Sequence, residues 1–208
     1  MTTSEVTPLV NRYPGAQGMF ALLGEVLWVG ILVSVASLGI VTAPAAVAAG
    51  VRHLDRYLHA RDSGIGMFVR DFRAALLPGG LGIGLVAALA AALLVLQLLT
   101  LPGSSVPGAE VLVVVVAVLL LAGLVLLGLA AASWSPRRPW RAALETSVSR
   151  ALADPVGAIL VAVALALTAV ATYQLPPLIV PALGCLTFAL AVVRARRRRR
   201  AYRGVTRA

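Results

Sequence analysis

Residues 111–132 read VLVVVVAVLLLAGLVLLGLAAA, a stretch without a single charged or polar side chain. At 1.5 Å per residue, a helix of this length covers the roughly 30 Å hydrocarbon core of a bilayer. A helix over this stretch has no polar face that could be exposed to water. The run therefore predicts a transmembrane helix, and it sets the class of protein in which the rest of the sequence is interpreted.

Four more apolar runs resemble this one, and they cover about residues 19–41, 76–99, 156–173 and 177–193. The 208-residue chain is 60% hydrophobic and 12% charged, against about 45–50% and about 25% in soluble domains. We therefore predict an all-α membrane protein, a bundle of five transmembrane helices within a single domain at residues 19–193. A soluble enzyme, a disordered protein and a free nucleic-acid-binding domain are excluded.

Arginine supplies all 18 basic residues, and it clusters at residues 51–75, 134–155 and 194–208. Basic loops stay in the cytoplasm, so we expect these two loops and the C-terminal tail there. Five spans then place residues 1–18 outside. We expect residues 51–75 to form an amphipathic segment on the cytoplasmic face between helices 1 and 2. The alternative is that Thr42-Ala43-Pro44 breaks the first run, which then enters, turns back and leaves the N-terminus inside.

Three stretches resemble the YesL family, a group of small bacterial multi-pass membrane proteins catalogued as a domain of unknown function. They are residues 22–28 (LLGEVLW) with 37–42 (SLGIVT), and residues 68–73 (FVRDFR). The family usually has Asn at the position of Glu25 and Pro at the position of Gly39. The resemblance implies a five-span protein of bacterial plasma membranes, often linked by gene context to carbohydrate uptake, and it supplies no mechanism.

Glu25 is the acid inside the first apolar run. Intramembrane acids usually face the bundle interior and have a function. By depth, Gln97 near the outer end of the second run is the expected hydrogen-bond partner of Glu25. The functional interpretation is an outward-facing polar pocket. The alternative is a structural bond between helices.

Several arginines are expected to contact the headgroups of anionic lipids in the cytoplasmic leaflet. They are Arg52, Arg56, Arg194, Arg196, Arg197, Arg198, Arg199 and Arg200. The alternative for the tail is that it only fixes the topology. Nucleic acid is not an expected partner, because the tail follows a span directly and carries one aromatic residue, Tyr202.

Small residues recur every four positions in the second run, at Gly80, Gly84, Ala88 and Ala92. Such a stripe lets another helix approach closely, and the surrounding glycines lack the lysine and serine of a phosphate loop. His53, Asp55, His59 and Asp62 are residue types that bind metals, and Asp55, His59 and Asp62 can share a helix face, but the interleaved arginines favour local ion pairing on a solvated face. The single cysteine, Cys185, excludes an internal disulfide, and we expect it to be buried.

No metal, cofactor or catalytic residue is predicted, because no nucleophile–base pair or phosphate loop is present. We expect a non-enzymatic plasma-membrane protein, an accessory or assembly partner of a carbohydrate transport system. The first alternative is a small oligomeric transporter or channel with a polar pocket around Glu25. The second is a membrane-embedded lipid-modifying enzyme.

Overall fold

The computed structural model describes residues 18–77, 79–102, 104 and 107–205, and these residues are helical apart from turns. The helices are α1 Met19–Ala36, α2 Ala43–Leu58, α3 Ile65–Leu76, α4 Gly80–Thr100, α5 Ala109–Ser133, α6 Trp140–Ala153, α7 Pro155–Gln174 and α8 Ile179–Val205, with a 3₁₀ turn at Pro176–Leu178 before α8.

Five helical segments are long and apolar enough to cross a membrane, as predicted. They are α1, α4, α5, α7 and the stretch Pro176–Arg197. The first ends earlier than expected, at Ala36, where the Thr42 hydroxyl donates to the Ala36 carbonyl at 2.5 Å and closes the turn. The second starts later, at Gly80, because Gly79 has a left-handed φ of 85° that separates it from α3.

Helices α1 and α8 touch through their backbones at Gly30 and Gly184. A Cβ on Gly30 would overlap the carbonyl of Val180, and a Cβ on Gly184 would overlap the carbonyl of Val26. Val33 and Thr187 both contact the position of Gly50 on α2, so α1 and α8 descend side by side in the same direction. Close backbone approach between small residues is the usual way in which helices associate in lipid.

Helix α2 turns back along α1. Gly50 lies against Val29 and Val33, whereas the later residue His53 reaches the earlier residue Glu25, so the two helices are antiparallel. Helix α3 then returns beside α2. The first run is thus broken at the turn before Pro44, at the position that the alternative expected; the side of the membrane on which the N-terminus lies stays a prediction.

The amphipathic segment at residues 51–75, expected on the cytoplasmic face, is packed into the bundle. Ten of the sixteen residues of α2 are buried, and the buried residues of α3 are Phe68, Asp71 and Ala75. The amphipathic pattern is real, but the apolar face of α2 contacts α1, α5 and α8. A helix with such a face is stabilised by a protein core in the same way as by a bilayer surface.

One end of the bundle, which we call the basic end, is marked by Arg138, Arg150, Arg194 and Arg197. Trp134 and Trp140 pack together there with ring centroids 6.1 Å apart. The Trp140 Nε1–H donates to the Ala75 carbonyl at 2.8 Å. Both indoles are only 1% exposed, so they join α3, α5 and α6 inside the protein.

The outer surface is apolar along α4 and α5. In the most apolar 18-residue stretch of each helix, only 6% of the residues of α4 and 11% of those of α5 are buried. Cys185, expected inside the core, is exposed on α8, because the neighbouring Gly184 and Leu186 take the buried positions. Side chains that face lipid need not be polar, so this surface suits a protein that lies within a bilayer.

Gly30→Ala should destabilise the bundle by about 1–3 kcal/mol, because the added methyl group has to push α1 and α8 apart. Gly24→Ala is the matched control on the same helix, since a Cβ there meets no atom within 4 Å. The control should be neutral or slightly stabilising, because alanine favours helix. Thermal unfolding in detergent, followed by tryptophan fluorescence, measures both, and equal melting temperatures would contradict the contact.

Candidate functional site

Five polar side chains on α1, α2 and α3 form two ion-paired groups, and we call the two groups together the polar centre. They are Glu25, Arg52, His53, Arg56 and Asp71. Oε1 of Glu25 lies 2.6 Å from Nε2 of His53. The His53 side chain is 1% exposed and that of Glu25 is 20% exposed. An acid and an imidazole at this distance form a strong hydrogen bond through which a proton can pass.

Asp71 joins α3 to α2 through two arginines. Its Oδ2 accepts from Arg52 Nε at 3.0 Å and from Arg56 Nη1 at 2.5 Å. The Asp71 side chain is 3% exposed and that of Arg56 is 11% exposed. Buried charges are tolerated when they are paired and hydrogen-bonded, and one carboxylate here is shared by two guanidinium groups.

Aromatic rings enclose the polar centre. Phe68 meets the His53 ring edge-on with centroids 6.3 Å apart. The Arg52 guanidinium lies 5.8 Å from the centre of the Trp134 ring. Within the described part of the chain, Nδ1 of His53 and Nε and Nη2 of Arg56 are buried without a hydrogen-bond partner. The polar centre therefore keeps unused donor or acceptor capacity next to the acid–imidazole pair.

The expected hydrogen bond from Glu25 to Gln97 is wrong. Glu25 pairs with His53, whereas Gln97 lies on the exposed surface of α4. Equal depth in a membrane does not place two residues on facing sides of their helices. Local ion pairing, expected from spacing on one helix, is found at Asp55 and His59, where Nδ1 of His59 lies 3.8 Å from the Asp55 carboxylate.

Arg52 and Arg56, expected at lipid headgroups, both pair with an acid of the bundle. Their guanidinium groups turn inward to Asp71, because α3 covers the face of α2 that was expected to meet headgroups. His53 and Asp71 are the residues of the polar centre that sequence reasoning missed. A buried acid in a span requires a partner, and His53 on an amphipathic neighbouring helix was the available signal.

The first two residues of the small-residue stripe are in close contact with other parts of the chain. A Cβ on Gly80 would overlap the Ala75 carbonyl, and one on Gly84 would overlap the Val41 carbonyl. Ala88 is half-buried and Ala92 is exposed. The stripe therefore packs α4 against α3 and against the turn before α2, and it leaves the far half of α4 without a close neighbour.

The basic tail begins as a continuation of α8. Nη1 of Arg194 donates to the Ala132 carbonyl at 2.8 Å, and Arg197 donates to the Arg150 carbonyl. Arg196 is half-buried. The side chains of Arg198, Arg199 and Arg200 lie outside the described side chains.

Arg150 is held among like charges at the basic end. Burial, together with the positive charges of Arg138 and Arg197, lowers the pKa of the Arg150 guanidinium from its ordinary value. Neither Arg138 nor Arg150 is a predicted site residue, because in sequence they only mark a cytoplasmic loop. The fold turns them toward the arginines of α8.

The fold and this site define a multi-pass helical membrane protein with charged groups inside the bundle. No protein-family model, no curated protein and no solved structure matches the chain. The resemblance to the YesL family thus stays a prediction.

A double-mutant cycle on Glu25→Ala and His53→Ala should give a coupling energy of about 0.5–3 kcal/mol, because the two groups are in contact and shielded from solvent. The exposed pair Arg141 and Glu145, with side chains 91% and 63% exposed, is the control. Chemical unfolding in detergent measures both cycles. A Glu25–His53 coupling no larger than that of the control pair would contradict the geometry.

Asp71→Asn should lower stability by about 3–5 kcal/mol, since it leaves two shielded guanidinium groups without their carboxylate. Asp62→Asn is the control, because the Asp62 side chain accepts only from the Gly64 amide at an exposed turn. Thermal unfolding of the two variants distinguishes them. If Asp71→Asn unfolds at the same temperature as Asp62→Asn, the arginines do not depend on Asp71.

Proposed function

We propose that this protein is a non-enzymatic integral membrane protein and that it serves as an accessory or assembly partner of a transport system. A groove between α4 and α5 is the observation that supports the proposal. The groove has a volume of about 530 Å³, and its wall is apolar with many small residues, among them Gly82, Ala87, Ala90, Ala91 and Gly123. A transmembrane helix of another subunit can approach closely along such a wall.

Space at the two glycines supports this interpretation. A Cβ on Gly82 or on Gly123 would meet no atom within 4 Å, so these residues are not needed for packing within the chain. At Gly80 and Gly84 on the other side of α4 the backbone contact is within the chain itself. Helix α4 thus has one small-residue face that is used internally and a second one that is open.

The polar centre supports a structural role for the buried charges. Glu25 is matched by His53, and Asp71 is matched by Arg52 and Arg56. These pairs tie α1, α2 and α3 together. Charged groups that satisfy one another inside a bundle need no substrate to neutralise them.

We place the protein in a bacterial plasma membrane, as the resemblance to the YesL family implies, with the basic end in the cytoplasm. The positive-inside rule supports this orientation, because the arginines of α6 and α8 meet at one end. Helix α1 runs in the same direction as α8, so Met19 begins at the opposite, extracytoplasmic end. Homo-oligomers remain compatible with the open groove.

Gly123→Leu should abolish co-purification of the partner from native membranes, because the side chain fills the groove without disturbing the fold. Gly24→Leu is the matched control on α1, where an added Cβ also meets open space. Mass spectrometry of the purified complexes identifies what is lost. Recovery of one transporter subunit in fixed ratio with the wild type and Gly24→Leu but not with Gly123→Leu supports the proposal, and recovery with all three contradicts it.

A second candidate is a small oligomeric transporter that uses the polar centre. The 20% exposure of the Glu25 side chain and the unpartnered Nδ1 of His53 favour it, because a proton relay needs an accessible acid beside a titratable neighbour. In proteoliposomes loaded with a pH indicator, the wild type should then release a proton gradient and Glu25→Gln should not. Equal release by both, or by neither, excludes this candidate.

A further inference from the structure

A cavity of about 310 Å³ opens at the basic end between α5, α6 and α8. Four arginines line it together with two serines. These residues are Arg138, Arg150, Arg194, Arg197, Ser133 and Ser135. The bundle side of the cavity is apolar and consists of Leu129, Ala132 and Val193.

The protein fixes the arginines around this cavity through bonds to other groups. Arg194 donates to the Ala132 carbonyl at 2.8 Å, and Arg138 donates to the Thr146 hydroxyl at 3.3 Å. Arg197 donates to the Arg150 carbonyl. A guanidinium group has five N–H donors, so the bond from Arg138 to Thr146 orients this arginine and uses one of its five donors.

Among the described residues that line the cavity there are four arginines and no acid. Asp154 is the neighbouring acid, with Oδ2 4.0 Å from Arg197 Nε and Oδ1 accepting from the Gly157 amide at 3.3 Å. One carboxylate thus stands beside four guanidinium groups. Arg150 adds a shielded Nη1 for which the described residues provide no hydrogen-bond partner.

We infer that this cavity is a binding site for a phosphate group, held by Arg150 and the arginines around it. Guanidinium groups pair with phosphate oxygens through parallel N–H···O bonds, and Ser135 adds a hydroxyl group, whereas the Ser133 hydroxyl donates to the Ala130 carbonyl at 2.9 Å. Bound phosphate would also relieve the repulsion between Arg150, Arg138 and Arg197. The ligand is the phosphate of a lipid headgroup or a free phosphate, and the apolar wall of Leu129, Ala132 and Val193 suits the first methylene groups of a lipid's acyl chains.

This site differs from a basic surface that only attracts a membrane. A solvated arginine near anionic lipid contributes about 1 kcal/mol whatever its neighbours are. The inferred site depends instead on particular arginines, and a nearby exposed arginine on the same helix should not matter. Arg141, with its side chain 91% exposed, provides that comparison on α6.

The test uses the full chain in neutral detergent micelles with three probes: short-chain phosphatidic acid, short-chain diacylglycerol, which lacks the phosphate, and inorganic phosphate. Affinity is measured by thermophoresis, and the melting temperature is measured in parallel. Phosphatidic acid should bind the wild type and Arg141→Gln with similar affinity. Arg150→Gln should bind about tenfold more weakly, because charge-assisted hydrogen bonds to the phosphate are lost.

Arg138→Gln serves as the second variant where Arg150→Gln does not fold, and the same loss of about tenfold is expected of it. Competition by inorganic phosphate at similar concentrations identifies free phosphate as the ligand. Binding of phosphatidic acid without such competition identifies the lipid. Equal affinity of the wild type and both cavity variants, or equal binding of the phosphate-free diacylglycerol, overturns the inference.

Discussion

The charge balance at Asp71 is the constraint on which the arrangement of the first three helices depends. Helix α2 carries too many ionisable groups to enter a bundle by its apolar face alone. The Asp71 carboxylate, 3% exposed, pairs with Arg52 and Arg56. Without it, two guanidinium groups would lose their contact with water and have no anion to compensate for the loss. With α3 in place, the polar face of α2 is covered and its apolar face can contact α1, α5 and α8.

Hydropathy and charge predict much of this architecture because both are local properties of the chain. An uninterrupted run such as residues 111–132 has few alternatives to a span, and α5 covers it at Ala109–Ser133. Amphipathicity is less specific. The pattern of α2 and α3 is the same whether the polar face meets lipid headgroups or another helix, and the presence of Asp71 on α3 decides between the two.

The residues that pair between helices cannot be predicted from a single sequence. Glu25 and His53 are 28 residues apart, and their contact depends on a turn at Ser37–Thr42 whose geometry rests on the Thr42 hydroxyl. The glycines illustrate the same limit. The repeat at Gly80 and Gly84 is visible as a pattern, whereas Gly30 and Gly184 belong to no repeat and become meaningful only when α1 lies against α8.

The exclusive use of arginine at the basic end has a physical consequence. Positive charge alone orients a membrane protein equally well with lysine or arginine. A lysine ammonium, however, is a strongly hydrated point charge, whereas the arginine fork can bond a backbone carbonyl and present its remaining donors elsewhere. Arg194 and Arg197 bond carbonyls of Ala132 and Arg150 in this way. The same side chains can therefore set the orientation, join α8 to α5 and α6, and line an anion-binding cavity.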